Sequence, residues 1–185
     1  MLTVGDSLPT GTFRLLLYRM AKSARIDGAM FRSLRDDNKA TRQSILVLAM
    51  AGLSFGLGLT VSIGSDLLYV LLGVLIGVFT GIALGFVWLT LTYVVVTRVF
   101  GGSSGYWSLA RPIFFATSPG LVFLLMIVPV AFFADVFRAV GLAWIALSNV
   151  YAVKNSMGFD NQRAFTTFII VAIIMIIAYG LLTAI

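Results

Sequence analysis

The chain carries thirteen lysines and arginines, seven aspartates, and no histidine, cysteine or glutamate. That inventory excludes Ser-His-Asp and Cys-His triads and His/Cys zinc sites. No two acids share an apolar segment, so paired-carboxylate catalysis has no candidate there, although two loop aspartates could meet in the fold. The run Gly101-Gly102-Ser103-Ser104-Gly105 is glycine-rich but lacks the lysine of a phosphate-binding loop. It reads as a turn closed by Tyr106 and Trp107 at a membrane interface. No catalytic, cofactor-binding or metal-ligating residue is assigned, no cofactor is expected, and the expectation is a protein that is not an enzyme. Without cysteine there is no disulfide, and the redox compartment is unreadable.

The spacing that carries information belongs to glycine. Gly73, Gly77, Gly81 and Gly85 recur every four residues, and Gly52 and Gly56 form a matching pair with Gly58 near. On a helix such a set is one ridge without side chains. Lipid tails give helices no hydrophobic drive to associate, so close backbone approach and dispersion must hold them together. The two ridges are expected to pack against each other as a hairpin, with a second copy of the chain as the alternative partner.

Prolines mark a second feature. Pro112 fits a first helical turn, where its missing N–H costs little, and Pro129 marks a far helix end. Pro119, followed by Gly120, falls deeper and should kink its helix. A broken membrane helix can present carbonyls to an ion or substrate along a path; the plainer reading is a bent helix with its carbonyls satisfied locally. Ser148 and Asn149 are expected to bond across helices rather than bind substrate. Asp135 and Arg138 suit an interfacial pair.

These residues sit on apolar elements. Hydrophobic residues make up 60% of the chain, against about 45–50% in soluble proteins. Past Gln43 only Asp66, Arg98, Arg111, Asp135, Arg138, Lys154, Asp160 and Arg163 are charged. About 20 apolar residues cross a bilayer, which predicts five spans near 44–63, 67–97, 112–133, 136–153 and 164–185. The second, about 31 residues or about 46 Å long, should tilt or protrude. The fold class is all-α: a polytopic membrane protein with residues 44–185 as the membrane domain.

Residues 1–43 form a basic segment. Eight of the thirteen basic residues lie here: Arg14, Arg19, Lys22, Arg25, Arg32, Arg35, Lys39 and Arg42. From Thr12 to about Leu34 the residues Phe13, Leu16, Leu17, Met20, Ala24, Phe31 and Leu34 share one side at helical periodicity. Thr12 or Thr10 can cap the start, and Asp27-Gly28 predicts a break into two helices. This amphipathic segment is expected to lie at the interface, with Arg14, Lys22, Arg25 and Arg32 meeting anionic lipid or a partner. Nucleic acid is not an expected partner, because the segment lacks interleaved aromatics and any binding motif. The apolar core Leu15-Leu16-Leu17 is too short for a cleavable signal, so the first span is expected to direct insertion.

With the N-terminus in the cytoplasm, the eight early basic residues plus Arg98, Arg111, Lys154 and Arg163 fall inside and Arg138 outside. The expected site is the cytoplasmic (inner) membrane, with the C-terminus on the opposite side.

The order of motifs resembles the Yip1 domain, a five-span membrane family. It runs Thr97-Arg98, Gly101-Gly102, Ala116-Thr117-Ser118-Pro119, Val128-Pro129, Trp144, Ala152-Val153-Lys154, Gly158 and Arg163-Ala164. The resemblance covers about 44–185. It implies a membrane domain like that of eukaryotic members associated with vesicle trafficking and Rab-type GTPases. The short basic N-terminal segment departs from their longer acidic or proline-rich one and points to a prokaryotic-type member, to which a Rab-binding role is not carried over. The expected function is a non-enzymatic adaptor or accessory subunit of a membrane complex. The partners would be membrane lipids, anionic on the cytoplasmic side, with other membrane subunits or further copies of the chain. The alternative is an oligomer that moves lipid or small solutes.

Overall fold

A computed structural model describes residues 12–64, 66–128, 130 and 132–183. Ser65, Pro129, Ile185, Thr10 and the rest of residues 1–11 lie outside the described residues, with the readings placed on them. All regular structure among the described residues is helical: α1 Thr12–Ala24, α2 Gly28–Asp36, α3 Ala40–Ser62, α4 Leu67–Val94, α5 Tyr106–Phe115, α6 Phe133–Met157 and α7 Asn161–Thr183. A π-helical turn, Val95–Val99, prolongs α4, and a 3-10 helix, Ser118–Ile127, prolongs α5. Five of these units are long and apolar enough to cross a membrane.

The amphipathic segment breaks as its sequence predicts, but the pivot is Ile26. Ile26 takes a left-handed conformation at φ 60°, while Asp27 N donates to Lys22 O and Ile26 N to Ser23 O. This is a Schellman-type stop with isoleucine where glycine is usual. Asp27 then caps α2, its carboxylate accepting from Ala29 N at 2.9 Å and Met30 N at 3.2 Å. Gly28 is helical and serves a different need. A Cβ there would lie 2.5 Å from Asn155 Oδ1, so glycine lets α2 sit close on α6. Thr12 is the first residue of α1 rather than its cap.

The third span differs most from expectation. It begins at Tyr106, so Pro112 lies inside α5 rather than in its first turn. The helix changes character at Pro119. This proline has no N–H to give Phe115 O, and the Ser118 hydroxyl takes that carbonyl at 2.6 Å. The chain continues as a 3-10 helix of ten residues. At about 2.0 Å per residue it covers about 20 Å, where an α-helix would cover about 15 Å. The slimmer helix fits tightly against α3, where a Cβ at Gly58 would overlap Phe123 O. This span is the most enclosed of the five, and α4 is the least.

The bundle has one basic end. There α2 packs on α5 and α6 through Phe31 and Leu34, fully buried with Val47, Phe115 and Ala152. Asp66, Asp135 and Arg138 mark the other end, where Asp66 caps α4 and Arg138 pairs with Asp135.

Candidate functional site

Two places combine unusual residues with unusual geometry. The first is the basic end. Arg111 on α5 is buried, yet has no carboxylate partner among the described residues. Its Nε donates to Thr41 Oγ1 at 2.9 Å, one terminal nitrogen to Arg35 O at 2.7 Å, and the other to Asn38 Oδ1. One planar guanidinium thus ties α5 to the end of α2, the following turn and the start of α3. Arg19 does the same for α1, bonding Gln43 Oε1 at 2.6 Å and pairing with Asp37. Arg35 donates to Ser156 O at 2.9 Å, and Arg32 to Asn155 Oδ1 at 2.7 Å. The Trp144 indole donates to Ala24 O at 2.8 Å. These bonds hold α1 and α2 on the bundle.

The four basic residues singled out from the sequence are not equivalent. Arg14 and Arg25 are exposed and form no ion pair among the described residues. Lys22 lies 3.4 Å from Asp27 and over the Tyr18 ring, and Arg32 is held by Asn155. Burial by itself would raise the Asp27 carboxyl. The N–H groups of Met30 and Ala29, with Lys22, outweigh it and hold the group below the usual aspartate range. Sequence reasoning did not single out Arg111 or Arg19 as structural locks. The one available signal was a cation placed beside an apolar run, which periodicity cannot distinguish from a snorkelling residue.

The second place is the seam between α3 and α4. A Cβ at Gly77 would lie 2.5 Å from Gly52 O and 2.9 Å from Gly56 Cα, and one at Gly81 would lie 2.9 Å from Gly52 Cα. A Cβ at Gly52 would lie 2.5 Å from Gly77 O, and one at Gly56 would overlap Gly73 O. Gly73 itself abuts the Thr60 methyl, and Gly85 abuts the Leu48 side chain at 2.6 Å. Gly52, Gly56, Gly77 and Gly81 therefore face backbone across the seam, and Gly73 and Gly85 face side chains.

Beside this seam, a cleft of about 720 Å³ runs between α3, α4, α5, the 3-10 helix, α6 and α7. Its lining is apolar apart from Thr60, Thr80, Thr117, Asn149 and the Trp88 indole, and carries no charge. Pro119 and Gly120 are not part of its wall; Gly120 instead faces the Ala51 methyl, 3.0 Å from where a Cβ would stand. Among the described residues no group of three potential metal ligands comes together. The structure offers an apolar receptacle and a rigid basic platform, but no assembled acid–base constellation among the described residues.

The Yip1 domain family model matches residues 26–182. The matched region reaches back past Ser44 and takes in α2, consistent with the burial of Phe31 and Leu34 against the bundle. No curated protein and no solved structure matches the chain.

Proposed function

The chain belongs to the Yip1 domain family of membrane proteins, and we propose that it is a non-enzymatic accessory subunit or adaptor of a membrane complex. The observation that carries this reading is the platform at the basic end. Helices α1 and α2 are fastened by Arg19, Arg32, Arg35 and Arg111, while Arg14, Arg25, Lys39 and Arg42 are left exposed. Exposed cations carried on helices already fastened to the bundle suit an acidic partner or anionic lipid, because the helices themselves need little further ordering on binding. The sequence lacks His, Cys and Glu, three of the common acid–base residue types. The platform would face the cytoplasm of the inner membrane, with α7 ending on the far side.

Lipid or solute movement is the second reading, supported by the cleft. It is the weaker one, because a polar headgroup crossing hydrocarbon needs polar or charged support, and the cleft lining carries no charge. Native mass spectrometry on complexes released from native membranes tests the accessory role. The expected result is an assembly of fixed stoichiometry above the 20.0 kDa of the chain, lost in an Arg14→Glu/Arg25→Glu variant that still folds. Recovery of the wild type as a solitary chain would refute it. Accelerated lipid flip in liposomes on adding the protein would favour the second reading.

A further inference from the structure

The cleft holds one polar feature that its surroundings do not explain. Its floor is backbone, supplied by Gly52, Gly56 and Gly77. Its mouth is marked by Ile76, Leu84 and Leu142, which are 63%, 50% and 55% exposed. In a membrane protein such exposed apolar side chains face lipid, so the cleft opens sideways into the bilayer. Its volume falls within the range of about 300–1,000 Å³ typical of small-molecule sites.

Asn149, on α6, contributes to the wall and is only 5% exposed. Its Nδ2 donates to Ile145 O at 3.0 Å. That bond sets the amide's orientation, because a flipped amide would aim Oδ1 at the same carbonyl. Oδ1 is then a buried acceptor with no donor among the described residues. A buried amide oxygen in apolar surroundings is costly without a hydrogen bond. Acyl chains cannot supply the donor, and Asn149 lies eight residues inside the Met157 end of α6.

We infer that the cleft binds a membrane-soluble alcohol, with a long aliphatic or isoprenoid body along the glycine floor and its hydroxyl donating to Asn149 Oδ1. Oδ1 is covered in this conformation, so the hydroxyl reaches it as a lining side chain rotates. The site does not depend on the accessory-subunit reading.

The test uses the full chain in nanodiscs and a diazirine-bearing hexadecanol, with the matching hexadecane probe as control. Light-induced labelling should fall on α4 and α6 around the cleft and be competed by unlabelled hexadecanol. The alcohol should outcompete the alkane by about tenfold, the fold-change equivalent to one hydrogen bond of about 1.4 kcal/mol. Asn149→Leu should reduce alcohol labelling to the alkane level while leaving melting unchanged or raised, since it deletes an unpaired acceptor. Ala146→Phe should fill the cleft and abolish labelling by both. Labelling that resists competition, or that spreads to outward positions such as Ile176, overturns the site. An alcohol preference that survives Asn149→Leu overturns the hydrogen bond. Should Asn149→Leu not fold, the competition between alcohol and alkane on the wild type decides alone. A solitary chain in native mass spectrometry would refute the accessory role and leave these outcomes untouched.

Discussion

Arg111 and Asp27 show how single polar groups fasten helices that hydrophobicity alone would leave loose. Arg111 makes three bonds to three different segments. Lysine keeps the charge but lacks the planar fork that reaches all three acceptors. Arg111→Lys and Arg111→Ala should therefore both destabilise, the alanine variant by on the order of 3 kcal/mol, as buried acceptors lose a charged donor. Chemical denaturation in mild detergent checks the order. Asp27→Ala removes the α2 cap and should cost about 1 kcal/mol, whereas Asp27→Asn should retain most of it. The sign of the pH effect follows from the lowered carboxyl. The folded state holds the proton more weakly than the unfolded one, so the cap's stabilisation is present above the unfolded value of about 3.9 and is lost as pH falls through the folded value. Protection of the Ala29 and Met30 amides, taken against their intrinsic exchange rate at each pH, should fall below about pH 4 in the wild type and lose that dependence in Asp27→Asn.

Glycine positions within α4 and α7 should respond in a graded way to the same substitution. At Gly77 an added methyl meets the backbone of Gly52 and Gly56, which cannot retreat without separating α3 from α4. At Gly85 it meets the Leu48 side chain, which can rotate away. At Gly180 nothing stands within 4 Å. Gly77→Ala should therefore lower the melting temperature most and Gly85→Ala less. Gly180→Ala should raise helix stability by up to about 1 kcal/mol. Gly77→Leu and Gly81→Leu together should separate the hairpin; wild-type melting and size for that double variant would remove the seam from the account. Ser118→Ala should weaken the third span, since it frees the carbonyl that Pro119 leaves without a partner.

At the scale of the molecule, five candidate spans among the described residues would, if each crosses the bilayer, put Arg14 and Thr183 on opposite faces. The absence of cysteine permits a clean test. Single cysteines at Arg14 and Thr183 should label from opposite faces of sealed vesicles, with the Arg14 position protected in cells and exposed in inverted membranes. Labelling of both from one face would contradict the arrangement. The basic end, where Arg111, Asn155 and Ser156 meet α2, should be the cytoplasmic one.

Local pattern was sufficient for five helices long and apolar enough to cross a membrane and for the break after α1. Apolar run length and residue spacing are properties of the chain itself, and the bilayer makes them decisive. Helix ends were less legible: α3 starts at Ala40 and α5 at Tyr106, because polar and aromatic residues continue a helix once other helices cover them. Only the tertiary structure decided what Arg111, Gly28 and Asn149 do. Arg111 finds neutral acceptors from segments about seventy residues away, Gly28 finds Asn155, and Asn149 finds none for its oxygen. A hydrogen bond is settled by positions in space that distant segments supply, and residue type and spacing cannot specify them before those segments meet.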